Sequence, residues 1–266
     1  MAAHEDDLGR PHEFTTPPRR IVSLVPSLTE TLVHWEVKDR IAGCTVYCVL
    51  PKAVVKDIPK IGGTKDPDIR AIRALEPDLV LANAEENRKE DVLAIEAFAP
   101  VWVTFPKTVA DCPSMLRRLG RAVGAPVAAE RDAASIEREL DAHRAWTGAP
   151  RSRAAYLIWR EPWMSINRDT YIHDVLRANG MTNVFGGKSE RYFETTLEEI
   201  RAAAPDYVIL PSEPFPFAAR HAREVAAGTG LSIDRVRLAP GEDYCWFGFR
   251  TAQVFETHRR LFPRSE

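Results

Sequence analysis

The sequence predicts an α/β protein: two similar α/β lobes with mostly parallel sheets, bridged by one long backbone helix, with a ligand cleft between the lobes. Three observations predict it. Apolar β-type runs alternate with amphipathic segments along the 266 residues, the pattern of layered α/β folds. The stretch IRAIRALEPDLVLAN (69–83) matches LEEIRAAAPDYVILP (197–211) in layout, with helix, turn, Pro-Asp and strand in the same order. Finally, APVAAERDAASIERELDAHRAW (125–146) sets Ala129, Ala133, Ile136, Leu140 and His143 on one helical stripe. At 1.5 Å per residue that helix would run about 33 Å.

The elements follow in chain order. MAAHEDDLGRPH carries acids and no apolar run, so it is no secretory signal, and 1–17 reads as a flexible lead-in. The chain as written is therefore cytosolic, or a leader was removed from it. RRIVSLV (19–25) is a short β-branched strand ended by Pro26, after which Ser27 and Glu30 have the spacing of a capping box. Further strands are predicted at DLVLA (78–82), VWVTF (101–105), AAYLIW (154–159), DYVILP (206–211) and DRVRLA (234–239). Each copy of the repeat follows a Gly-Gly pair, Gly62-Gly63 and Gly186-Gly187. The expected parts are an N-terminal lobe over 18–110, connecting helices over 111–150 and a C-terminal lobe over 151–266. A helical connector, unlike a Gly/Ser linker, implies small hinge motions.

Composition narrows the function. A net charge of −2 gives no footing for nucleic acid or an anionic membrane, and no apolar run has the length of a spanning helix. The four cysteines form no evident disulfide framework and read as free thiols. Cys44 and Cys48 lack the further ligands of a zinc site. No nucleophile elbow, P-loop, dinucleotide fingerprint or His-Glu-x-x-His helix is present. Asp169 and His173 are spaced to share a metal, the basis of a rival reading as a cleft hydrolase, but Asp169 reads as a helix cap.

The residues that point to a ligand sit at strand ends, where α/β folds bind. In YLIWREPWM, Trp159 and Arg160 would stack on and pair with a ligand; Met164 would pack in the core, and Trp163 fits either. In YCWFGFRT, Trp246 is the wall candidate and Arg250 an anion partner, with Phe247 and Phe249 packed beneath the C-terminal helix. Gly248 permits the turn. Asn83, Glu86 and Glu213 follow the two repeated strands and are placed to fix polar groups.

PRRIVSLVPSLTETL, IGGTKDPDIRAIRALEPDLVLAN and DTYIHDVLRANGMTNVFG, in this order around a long helix, resemble the class III substrate-binding proteins of ABC importers, the helical-backbone metal receptors. The resemblance covers roughly residues 18–262, and the cobalamin receptors are the most similar within it. It implies a monomer that holds a metal-bearing small molecule between its lobes, with no cofactor of its own. The ligand would be a cobalt corrinoid such as cobalamin, or alternatively haem or an iron-siderophore; a cytosolic carrier without a permease is a further variant. Matched by position, Trp159 and Phe193 (or its neighbour Tyr192) form the aromatic wall of the second lobe, and Tyr47 faces the ligand from the first. Thr64 and Asn83 stand where those receptors carry tryptophans. Glu198 matches the acidic residue that docks on the permease, whereas Arg70 reverses the charge at the equivalent place in the first lobe, with Asp68 nearby.

Overall fold

The computed structural model describes residues 3–144 and 152–263. The chain divides into two compact units. The first comprises Met1–Pro106, Asp111–Glu137 and Phe247–Arg250, and the second Lys107–Ala110, Arg138–Trp246 and Thr251–Glu266. Both are α/β. The helix Pro126–Arg144 carries the chain from one to the other, the division falling between Glu137 and Arg138. It spans 19 residues, or about 28 Å, and the predicted end at Trp146 lies outside the described residues. Its stripe is real in the first unit: Ala129, Ala133 and Ile136 are buried, and Asp132 accepts a hydrogen bond from Trp35 Nε1 at 2.8 Å.

The first unit holds a four-stranded parallel sheet in the order Ile41–Cys44, Ile21–Ser23, Leu79–Asn83, Val101–Thr104. Every residue of its three later strands in that order is buried, which is why they read as unbroken apolar runs and not as alternating ones. The second unit builds a mixed six-stranded sheet. Met181–Asn183, Tyr207–Pro211 and Val236–Ala239 join Ser152–Trp159 in parallel, while Met164–Ile166 and Tyr192–Glu194 add antiparallel strands on one side.

The repeat extends beyond its sequence signature. In the first unit, Arg20 Nε donates to the carbonyls of Leu75 and Glu76 at 2.8 and 3.2 Å, and Asp78 accepts from the backbone N–H of Arg20. In the second unit, Arg153 donates to the carbonyls of Ala203 and Ala204 at 2.7 and 3.1 Å, and Asp206 accepts from the Arg153 N–H. Each arginine thus satisfies carbonyls orphaned at a helix end. Glu76 and Ala204, the residues before the paired prolines, both take positive φ, 44° and 48°.

Two local expectations fail. Ser27 and Glu30 do not form a capping box: the helix runs Pro26–His34 with Val25 as its unassisted N-cap. Proline at the first turn starts the helix a position earlier than serine capping would, and the Glu30 carboxylate is engaged by Arg250 instead. In the second unit Thr170, not Asp169, caps the helix Tyr171–Ala178, accepting from the His173 N–H at 3.2 Å.

The segment expected as a flexible lead-in instead folds. Ala3–Glu5 and Pro11–Glu13 pair as an antiparallel hairpin. Buried Asp6 ties its turn, accepting from Leu8 N and Arg10 N at 3.0 Å each and from Arg10 Nε at 2.8 Å, and also takes the Val103 N–H at 3.1 Å. Asp7 adds the Phe105 N–H at 2.7 Å and an ion pair with Arg118. The hairpin therefore covers the free edge of strand Val101–Thr104, a service edge strands need, and sequence reading missed it because the clamps are tertiary.

Burial alone would raise the Asp6 pKa, but hydrogen bonds from His12 and Arg10, with the backbone of Arg10 and Val103, outweigh it and hold the carboxyl well below the usual range. A depressed carboxyl contributes stability above the unfolded pKa, about 3.9, which is lost as pH falls through the folded value. Asp6→Asn is expected to destabilise by on the order of 2–3 kcal/mol at neutral pH. In urea unfolding, the gap between variant and wild type should narrow below about pH 3.9; a gap independent of pH would contradict the assignment.

Candidate functional site

YLIWREPWM is a hairpin. The strand Ser152–Trp159 ends, the chain reverses, and Met164 returns opposite Trp159. Trp159 therefore stands at the carboxyl end of the sheet, 42% exposed, with Phe215 edge-on beneath it at a ring separation of 5.5 Å. Phe217 packs against Phe215 at 4.7 Å and stacks on Trp163 at 6.1 Å with a 4° interplanar angle. His221 meets both phenylalanines edge-on. This ladder holds Trp159 from below while leaving ring area to solvent. Phe215 and Phe217 support the Trp159 ring and were not among the residues the sequence marked; the signal was in PSEPFPF, two aromatics two apart just after a strand.

Arg160 is not an open anion site. Its guanidinium forms a two-pronged pair with Glu224, Nε and Nη2 at 2.9 and 3.0 Å, and also pairs with Glu161. Hydrogen bonding to Glu224 raises its pKa, so the charge is fixed and already matched; a ligand carboxylate would have to compete with it.

Phe193 is a core residue. It is 5% exposed and meets Phe185 edge-on at 5.4 Å, in the cluster with Leu157, Ile200 and Val208. Side chains alternate along a strand, so its neighbour Tyr192, 48% exposed, takes the outward position. Trp246 is buried as well, 7% exposed, closing the short helix Gly241–Cys245. Residue type after a strand marks Trp246 for a ligand wall, but burial at the end of this helix leaves little of the ring exposed.

In the first unit the loop after strand Ile41–Cys44 exposes Val46, Tyr47 and Val49, with Tyr47 at 58%. Thr64, Asn83 and Glu86 come together through the backbone of Thr64 and Glu86 and the side chain of Asn83. Asn83 is buried; its amide donates to the Thr104 carbonyl and hydroxyl at 3.1 and 3.3 Å, and its Oδ1 accepts from the Glu85 and Glu86 N–H groups at 2.8 and 3.2 Å. Asn87 returns a bond to the Asn83 N–H and ties down the Thr64 carbonyl at 2.9 Å. With that capacity used, Asn83 closes the loop and does not reach outward as a polar anchor. Asn87 is the organiser the sequence did not flag.

Arg250 also proves structural. It pairs with buried Glu30, Nη2 to Oε1 at 2.6 Å, in the first unit. Beside it Phe249 stacks on His34 at 4.2 Å. Gly248, at φ 120°, lies so close to Thr31 that a Cβ there would sit 2.5 Å from its hydroxyl oxygen, so only glycine fits. In the second unit Glu213 accepts from the Cys245 thiol at 2.9 Å.

The two matched docking positions are exposed. Glu198 lies in the first turn of Leu197–Ala202, capped by Thr196. Arg70 lies in the first turn of Ile69–Ala74, capped by Asp68, whose carboxylate takes the Ala71 N–H at 2.9 Å. Among the described residues no group of three or more His, Cys, Asp or Glu is arranged to hold a metal, and no helix is long and apolar enough to cross a membrane.

A family model described as periplasmic binding protein matches residues 21–232. A vitamin B12-binding protein of Vibrio vulnificus is 25% identical over 191 residues, 71% of this chain and 70% of the relative. The crystal structure of the periplasmic vitamin B12 binding protein of Vibrio cholerae has a TM-score of 0.77 at 17% identity, covering 93% of this chain and 99% of that one. A periplasmic heme binding protein from Pseudomonas aeruginosa has a TM-score of 0.79 at 20% identity, covering 94% of each chain. At such identities the structural likeness speaks to the fold.

Proposed function

Because the chain belongs to the periplasmic binding protein family, in its helical-backbone receptor type, we propose that it binds cobalamin or a related corrinoid as the substrate-binding component of an ABC importer. The observation that carries this reading is Trp159: a large ring, exposed at a sheet's carboxyl edge and buttressed by Phe215. Such a ring offers apolar area at little entropic cost, because its neighbours already hold its orientation. Tyr192 extends the wall in the second unit, and Tyr47 is the contact from the first. Binding alone is the task; no catalytic step is assigned. Glu198 is the docking contact for the permease, with Arg70 altering the match on the first unit.

Haem is the second reading, supported by the heme-binding relative and by the fact that an aromatic wall suits any planar macrocycle. Titrating intrinsic tryptophan fluorescence with cyanocobalamin, haem and a ferric siderophore separates them. Saturable quenching by cyanocobalamin alone is the expected result; response to haem alone would replace the corrinoid. Trp159→Ala should weaken binding by about 1–3 kcal/mol, roughly 5- to 150-fold, and an unchanged affinity would remove Trp159 from the site.

A further inference from the structure

The helix Ala219–Thr229 starts beside the aromatic ladder under Trp159, and its third residue, His221, is buried there. Both nitrogens of this imidazole face donors. Nδ1 accepts the Ala218 N–H at 3.0 Å, and the Arg220 Nε lies 3.0 Å from Nε2. The Ala218 carbonyl in turn accepts the His221 N–H at 2.9 Å. His221 thus holds the N-cap backbone as Glu or Gln does at this position of a capping box. Its ring meets Phe215 and Phe217 edge-on at 5.3 and 5.6 Å, and Phe215 lies 5.5 Å from the Trp159 ring. A hydrogen bond at a helix start is therefore joined to the exposed tryptophan through one intervening ring.

A neutral imidazole has one lone pair for these donors, and an imidazolium has none. Protonation would set N–H against N–H at Nδ1 and a cation against the Arg220 guanidinium at Nε2. Burial opposes the proton most, then Arg220 and Arg160, and together they hold the pKa below the ordinary value. Glu224 and Glu161 favour protonation, but both are already paired with Arg160, Glu224 by two prongs at 2.9 and 3.0 Å.

We infer that neutral His221 is the positioning residue for Trp159: it locks the start of Ala219–Thr229 and the two phenylalanines that hold the indole, and a proton on its ring releases them. Acid therefore loosens the ring wall of the second unit while the sheet stays folded. The neutral ring contributes order above its unfolded pKa, about 6.5, and that contribution is lost as pH falls through the lower folded value. A released indole must be ordered again on binding, which weakens affinity roughly 2- to 12-fold. That effect on affinity rests on Trp159 being the ligand wall; the coupling of His221 to Trp159 does not, and is read without ligand.

The test titrates the whole protein with acid as wild type and as His221→Gln, each with and without Trp159→Phe, so that the Trp159 emission is obtained by difference. The His221 ring is followed by NMR, its signals assigned by their absence in His221→Gln. One transition is expected: the ring titrates below about pH 6.5, Trp159 emission moves to the red at the same midpoint, and far-ultraviolet circular dichroism holds through it. Glutamine at 221 still accepts the Ala218 N–H but takes up no proton, so His221→Gln should lose the transition. With cyanocobalamin, wild-type affinity should fall over the same range by roughly 2- to 12-fold, and that of His221→Gln should stay level with pH. A ring that titrates at or above about 6.5, or stays neutral until the protein unfolds, overturns the inference. So does a Trp159 transition that persists in His221→Gln, or a ring titration that leaves Trp159 unmoved. Failure of cyanocobalamin to bind at any pH would overturn the corrinoid reading, and the ligand-free transition would still decide the role of His221.

Discussion

Glu30→Ala is expected to destabilise the protein by about 3–5 kcal/mol, because it removes the buried carboxylate paired with the Arg250 guanidinium beside a buried helix. The side chains of the pair are only 18% and 6% exposed, so solvent screens them little. The pair joins positions 220 residues apart in sequence, tying Phe247–Arg250 to the helix Pro26–His34. The loss is thus one of chain topology as well as of charge. Removing both partners should cost less than the sum of the single losses, since the double variant buries no lone charge. Urea unfolding of wild type, Glu30→Ala, Arg250→Ala and the double variant gives the coupling directly. Additive losses, or a single-variant loss under about 1 kcal/mol, the range of surface pairs, would mean that the pair does not act as a buried one.

Phe193→Ala and Tyr192→Ala should separate stability from binding. Phe193 sits in the second unit's core against Phe185, so its truncation opens a cavity and should cost about 3–5 kcal/mol. Melting should fall by on the order of 10 °C, while folded protein keeps its ligand affinity. Tyr192, one residue earlier and on the opposite face, should change stability by no more than about 0.5 kcal/mol yet weaken ligand binding. The reverse pattern, with binding lost and stability kept in Phe193→Ala, would return Phe193 to the ligand wall.

Why the sequence was misread at these positions is physical. Residue type and strand position were legible; facing was not. Along Tyr192–Glu194 a shift of one residue exchanges core and surface, and that register is set by pairing with Met164–Ile166. Trp246 and Arg250 had the right chemistry for a ligand, but one is buried at the end of a short helix and Glu30 claimed the other. Asn83 was visible as a polar residue at a strand end, while its donors and acceptor were already committed to Thr104, Glu85 and Glu86.

The sequence by itself determined the α/β class, most of the parallel strands, the internal repeat and the connecting helix, since these rest on local periodicity and on turn chemistry that neighbouring residues dictate. It also marked Trp159 and Tyr47, aromatics at strand ends that remain exposed. Only the tertiary structure decided the clamping of the hairpin at residues 3–13 onto strand Val101–Thr104, the Arg250–Glu30 pair and the aromatic ladder under Trp159. Each depends on contacts between residues far apart in the chain. Whether a charged or aromatic side chain is spent on the scaffold or left for a ligand is settled by which distant partner reaches it first.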